Sequence, residues 1–113
     1  MSDTCLFCRI VRREIPAKIV AENESCVAFR DIDPKAPTHV LVVPRRHVSS
    51  LASATGQAEL GDLLLLASTV ARQLGVEESG YRVVLNTGDD GGQTVHHLHA
   101  HVLGGRKMTW PPG

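Results

Sequence analysis

From His97 to Val102 the chain alternates imidazole with aliphatic side chains: His97-Leu98-His99-Ala100-His101-Val102. Period two is the signature of a strand, whose side chains point to opposite faces in turn. The pattern predicts a strand from Val95 to Leu103 with His97, His99 and His101 on one face. Leu98, Ala100 and Val102 take the other, where they can pack on a helix. Neighbours on one face sit ~6.6 Å apart at Cα, so three imidazoles are held in a row on a rigid element. Such a strand needs a sheet around it, with one face apolar and one carrying chemistry.

The rest of the chain supplies that sheet. Lys18–Glu22 and Cys26–Asp31 read as two strands joined by the turn Asn23-Glu24-Ser25. Asp33 to Pro37 is loop, because two prolines so close fit neither a ladder nor a helix. Val40–Val43 is a β-branched run ended by Pro44, and Tyr81–Asn86 is a further strand. Between them Leu60, Leu63, Leu64, Ala67, Val70, Ala71 and Leu74 recur at three- and four-residue spacing, which predicts a helix over 57–74 stopped by Gly75. Leu6, Phe7, Ile10 and Val11 form a shorter helical stripe within 4–12. Strands that follow one another, with few helices between, favour an α+β domain. We expect one domain over residues 1–113, with a five-stranded, mainly antiparallel sheet, one long helix covering one face and one short helix.

Composition narrows the function. Twelve Lys and Arg balance twelve Asp and Glu, so the positive field that draws nucleic acid or a membrane surface is missing. No aliphatic run approaches the ~20 residues of a membrane span. The opening MSDTCLFCRI has no basic segment followed by an apolar core, and three cysteines make no disulfide framework. A cytoplasmic protein with reduced thiols is the expectation.

Three aligned imidazoles have two chemical uses. H-x-H on a strand presents paired metal ligands, and imidazole is also the best nucleophile and proton carrier near neutral pH; spacing alone leaves the two even. The preceding loop, Asn86-Thr87-Gly88-Asp89-Asp90-Gly91-Gly92-Gln93-Thr94, tips the balance. Its glycines allow backbone N–H groups to converge on an anion, Gln93 and Thr94 add donors, and Asp89 and Asp90 are expected to face outward. A phosphate seated there would lie beside the histidines.

The run from Gly91 to Arg106 resembles the histidine triad (HIT) signature. The segments 31–39 and 43–47 and the tail Trp110-Pro111-Pro112-Gly113 resemble its Hint branch, the nucleotide-binding and phosphoramidase members. This resemblance implies hydrolysis of purine nucleoside phosphoramidates to AMP or GMP. It makes His99 the nucleophile that attacks the α-phosphorus, with a nucleotidyl-histidine intermediate that water opens. His101, Gln93 and Thr94 would contact the phosphate or bridging group, with Gly92 a further nucleotide-binding residue. His97 and His39 would orient the row. Asp31 and Asn86 would bind the ribose, and Ile32 and Phe29 the base. It further implies a homodimer with Trp110 near the partner's site, and no cofactor for catalysis.

Two features depart from, or add to, that pattern. His96 stands where relatives often carry an aromatic residue, and its parity places it off the triad face. Cys5-Leu6-Phe7-Cys8 is half a zinc site; the resemblance pairs Cys5 and Cys8 with His47 and His97 as a closed, structural set. Cys26 reads as core. Rival readings are a nucleotide-binding regulatory module with little turnover, a dinucleoside polyphosphate hydrolase, and a zinc-dependent hydrolase using the histidines as ligands.

Overall fold

A computed structural model describes residues 4–113; the first three residues of the segment read for a leader lie outside it. The elements in chain order are α1 (Leu6–Val11), β1 (Ile19–Glu22), β2 (Cys26–Arg30), β3 (Thr38–Pro44), a single 3₁₀ turn (Leu51–Ser53), α2 (Gln57–Gln73), β4 (Tyr81–Val84) and β5 (Ala100–Gly104). The five strands form one antiparallel sheet in the order β1-β2-β3-β5-β4. The α+β expectation holds.

Local chemistry explains the joints. Asn23 closes the β1–β2 turn by accepting the Ser25 and Cys26 N–H groups on Oδ1, at 3.1 and 2.8 Å. At the end of α2, Gly75 adopts φ +77°. Gly75 N–H then bonds Arg72 O and Val76 N–H bonds Ala71 O, which satisfies two terminal carbonyls and folds Val76 into the core.

Strand parity divides the interior in two. Cys26, Ala28, Val40, Val42, Ala100 and Val102 face α2 and pack on Leu63, Leu66, Ala67, Val70 and Ala71. Val27, Phe29, Leu41 and Val43 face the other way and are covered by Phe7 and Ile10 of α1. Both sheet faces therefore carry a helix, where the sequence suggested one covered face.

Three expectations need correction. Leu64 is half exposed and Leu66 takes its place in the core, because 63, 66, 67, 70 and 71 make the continuous three–four stripe. The β4 strand stops at Val84, not Asn86. The last strand begins at Ala100, not Val95. Its intended neighbour, β3, ends at Pro44, after which Arg45 N–H turns to Ser25 O. In place of a ladder the 95–99 segment has a backbone tie from Leu98 N–H to Val48 O at 2.6 Å.

Candidate active site and metal centre

The histidines lie on the α1 side of the sheet. In the β3–β5 register Leu41 faces His101 and His39 faces Leu103, so His39 and His101 are diagonal neighbours on one face. Their rings meet, Nε2 of His39 to Nδ1 of His101, at 2.9 Å. His99 follows, with ring centroids 5.0 Å from His101. Phe7 lays its edge against His99 at 5.1 Å and against Phe29 at 5.5 Å. Sequence reasoning overlooked Phe7 as a site residue, although its place in the α1 stripe marked it as inward-facing.

Backbone groups fix the proton positions. A carbonyl only accepts and an N–H only donates. His99 Nδ1 lies 2.6 Å from His97 O and must donate, so Nε2 carries the lone pair. His97 Nε2 donates to Pro44 O at 2.9 Å, which leaves Nδ1 bare. His39 Nδ1 accepts Lys35 N–H at 3.0 Å, so its Nε2 holds the proton, donates to His101 Nδ1 and leaves the His101 proton on Nε2. Burial, with smaller repulsion from His99 and His39, pushes His101 down to about 4. Burial also brings His97 to about 4 and lowers His39, against the pull of Asp31. These three rings are neutral at pH 7. The site thus offers a bare nitrogen on His99 beside a donor on His101.

Among the described residues two clusters have donor atoms close enough to share a metal. In the first, His97 Nδ1 is 3.3 Å from Cys5 Sγ and 3.4 Å from Cys8 Sγ, and His47 Nδ1 is 3.3 Å from Cys8 Sγ. Tetrahedral zinc bonds of about 2.3 Å to sulfur and about 2.0–2.1 Å to nitrogen give N···S edges near ~3.6 Å, so this set fits. The Pro44 carbonyl aims the bare nitrogen of His97 inward, as an outer partner should. The second cluster, Asp31, His39 and His101, does not fit. The only route to a lone pair on His39 Nε2 moves its proton to Nδ1, against the Lys35 N–H.

Phe29, Asp31 and Ile32 line a cavity of about 240 Å³ with Leu6, Phe7 and Ile10 of α1. Ile32 is fully exposed at its mouth. Thr94 is exposed in a separate cleft with Cys5, His47 and His96. Asn86 is half-buried just beyond β4. Trp110 is 80% exposed, its ring 6.0 Å from the Arg82 guanidinium, and does not line the cavity of its own chain.

The loop behaves differently from the expected anion cradle. Gly92 N–H bonds Asp89 O, Gln93 N–H bonds Gly88 O, and Gly88 N–H bonds Gln93 Oε1. Gln93 Nε2 donates to Ser49 O and Val95 O at 2.7 and 3.1 Å, so both amide protons are engaged. The glycines are needed for compactness: Gly91 lies so near Thr87 that a Cβ would meet its carbonyl oxygen at 2.3 Å, and Gly92 has φ +82°. Asp89 and Asp90 are exposed, as expected.

Residues 12–108 match the HIT domain model. The chain belongs to the HIT family. It is 55% identical to an uncharacterized HIT-like protein of Synechococcus elongatus, with all of both chains covered. It is 48% identical to a 14 kDa zinc-binding protein of Zea mays, over 96% of this chain and 87% of that one. Among solved structures, a HIT family hydrolase from Legionella pneumophila superposes with TM-score 0.93 at 47% identity, covering 96% of this chain and 99% of that one. A HIT family hydrolase from Clostridium thermocellum gives 0.92 at 42%, covering 95% of each.

Proposed function

We propose that this HIT protein is a Hint-branch hydrolase that cleaves the P–N bond of purine nucleoside phosphoramidates. The observation that carries the reading is the proton arrangement: His99 Nε2 is bare because Nδ1 is tied to His97 O, and His101 presents a proton on Nε2 because Nδ1 is tied to His39. A nucleophile and a hydrogen-bond donor stand side by side, each locked in the form its task needs. His99 Nε2 attacks the α-phosphorus, the substrate nitrogen takes a proton from solvent and leaves as the free amine with the P–N electron pair, and His101 Nε2–H donates to a phosphate oxygen as charge builds there. Water then opens the nucleotidyl-His99 bond, releases AMP or GMP, and gives its proton to solvent, which returns His99 to its neutral form. The base would sit between Phe29 and Ile32, with Asp31 and Asn86 toward the ribose. Thr94 supplies a free hydroxyl for the phosphate; Gln93 contributes there only by giving up one of its two carbonyls.

We assign Cys5, Cys8, His47 and His97 to a structural zinc ion. When bound it supplies a cross-link between α1, the segment after β3 and the histidine segment. The zinc-binding relative and the fit of the donor set support this assignment. A homodimer is supported by the open edge of β4 and the exposed Leu64 and Leu65 of α2. Cysteines outside any disulfide suit a reducing compartment such as the cytoplasm. Among the described residues no helix is long and apolar enough to cross a membrane.

The test is hydrolysis of adenosine 5′-phosphoramidate by the wild type beside His99→Ala. Turnover in the first and loss of at least about a hundredfold in the second, with AMP binding kept, supports the reading. AMP binding without turnover in the wild type replaces it with a binding module.

A further inference from the structure

The proton on His101 is set by a group four residues upstream of its partner. Lys35 N–H points at His39 Nδ1. Were His39 to take its other neutral form, two N–H groups would face each other there. His101 Nδ1 would also lose its donor, and its proton would be free to move from Nε2 to Nδ1. The 34–35 peptide therefore selects which nitrogen of His101 donates.

That peptide sits on the loop between β2 and β3, so what holds the loop matters. Several of its bonds are internal and move with it: Asp33 N–H to Asp31 Oδ1, and Lys35 Nζ to Asp33. The external side-chain tie to Lys35 comes from the far end of β5. Arg106 Nε donates to Lys35 O at 3.0 Å. Gly105, at φ +88°, lies so close that a Cβ would meet Pro37 Cβ at 2.9 Å. Among the described residues no carboxylate pairs with Arg106; its guanidinium serves two backbone carbonyls, of Lys35 and Lys107.

We infer that Arg106 is a positioning residue for the His101 donor. It holds the Lys35 segment so that Lys35 N–H keeps His39 protonated on Nε2 and His101 protonated there in turn. This builds on the reading of His101 as the donor to the phosphate, but the proton positions are measurable without any substrate.

The experiment is long-range proton–nitrogen NMR of ¹⁵N-histidine-labelled full-length protein at neutral pH, on the wild type, Arg106→Met, Arg106→Lys and Arg82→Ala. Methionine keeps the aliphatic stem and removes the donor; lysine keeps a donor. Arg82→Ala cuts a different tie to the same tail, Arg82 to Thr109 O. The wild type should show His39 and His101 protonated at Nε2. Arg106→Met should move both toward a mixture and lower kcat on the order of tenfold, with KM within about twofold. Arg106→Lys should restore most of both, and Arg82→Ala should leave the His39 nitrogen shifts in place. Unchanged shifts in folded Arg106→Met overturn the inference. So do equal changes in Arg82→Ala, which would mean general loosening of the tail. Arg106 is exposed, and melting curves verify folding; if Arg106→Met does not fold, Arg106→Ala decides, since mixed shifts there support the inference and wild-type shifts overturn it. A wild type that shows these shifts but no phosphoramidate turnover would sink the proposed function and leave the inference standing.

Discussion

Single side chains carry this site because each ring nitrogen has one backbone group to answer to. The histidines pay for that order in acid. Burial holds His101 down to about 4, whereas a free imidazole titrates near ~6.5. Between those values the unfolded chain binds protons that the native state refuses, so stability falls as pH drops through the window and is flat above it. We expect the melting temperature to decline steadily from about pH 6.5 to pH 4; a flat or rising profile would contradict the burial argument. Gly104 makes a second single-residue test. A Cβ there would meet three atoms of Val76 at 2.8–3.0 Å, inside the core. Gly104→Ala should cost about 1–3 kcal/mol by chemical denaturation, and an unchanged midpoint would show that Val76 can move aside. At this scale the sequence was informative about which residues matter and silent about what they touch. Alternation shows which face His99 takes, but it cannot reveal that His97 O claims Nδ1. Nor can composition show that the amide of Gln93 is already held by Ser49 and Val95.

At the scale of elements, α1 is the piece that the proposed zinc would hold most directly. It is six residues long, too short to hold its helical form alone, and it anchors through Phe7, Ile10 and the two cysteines. Chelation of zinc from the purified protein should lower the melting temperature by several degrees. Cys8→Ser should melt at the lower temperature without any chelator and show no further response. Elemental analysis giving no zinc in a normally folded wild type would refute the assignment. On the opposite face, α2 is held by plain packing: Leu63→Ala should cost about 2–5 kcal/mol by chemical denaturation. The strands and α2 were legible because β-branched runs and a three–four stripe are strong signals. The start of β5 was not, because strand pairing depends on where the neighbour ends, and β3 ends at Pro44. The leucine run at 63–66 hid which leucines face inward until the helix was set against the sheet.

Taken whole, the molecule has a half-finished look on one side. Among the described residues the edge strand β4 pairs only with β5, and Leu64 and Leu65 stand 51% and 67% exposed, a combination that soluble monomers usually avoid. Light scattering should give twice the chain mass for the wild type, and Leu65→Glu should shift it toward the monomer; a monomeric wild type would remove the dimer from the account. The proposed catalytic arrangement draws on four parts of the chain: α1 supplies Phe7, the β2–β3 loop supplies Asp31 and Lys35, β3 supplies His39, and the last segment supplies the other histidines. Its central claim is that His99 forms a covalent bond to the nucleotide. The most direct measurement is to mix the protein with a radiolabelled adenosine phosphoramidate, quench in alkaline denaturant, because a P–N bond to histidine is acid-labile, and map the labelled peptide. We predict one adenylyl group on His99 in the wild type and none in His99→Ala. Rapid turnover with the label on another residue, or with no covalent label at any quench time, would contradict the account.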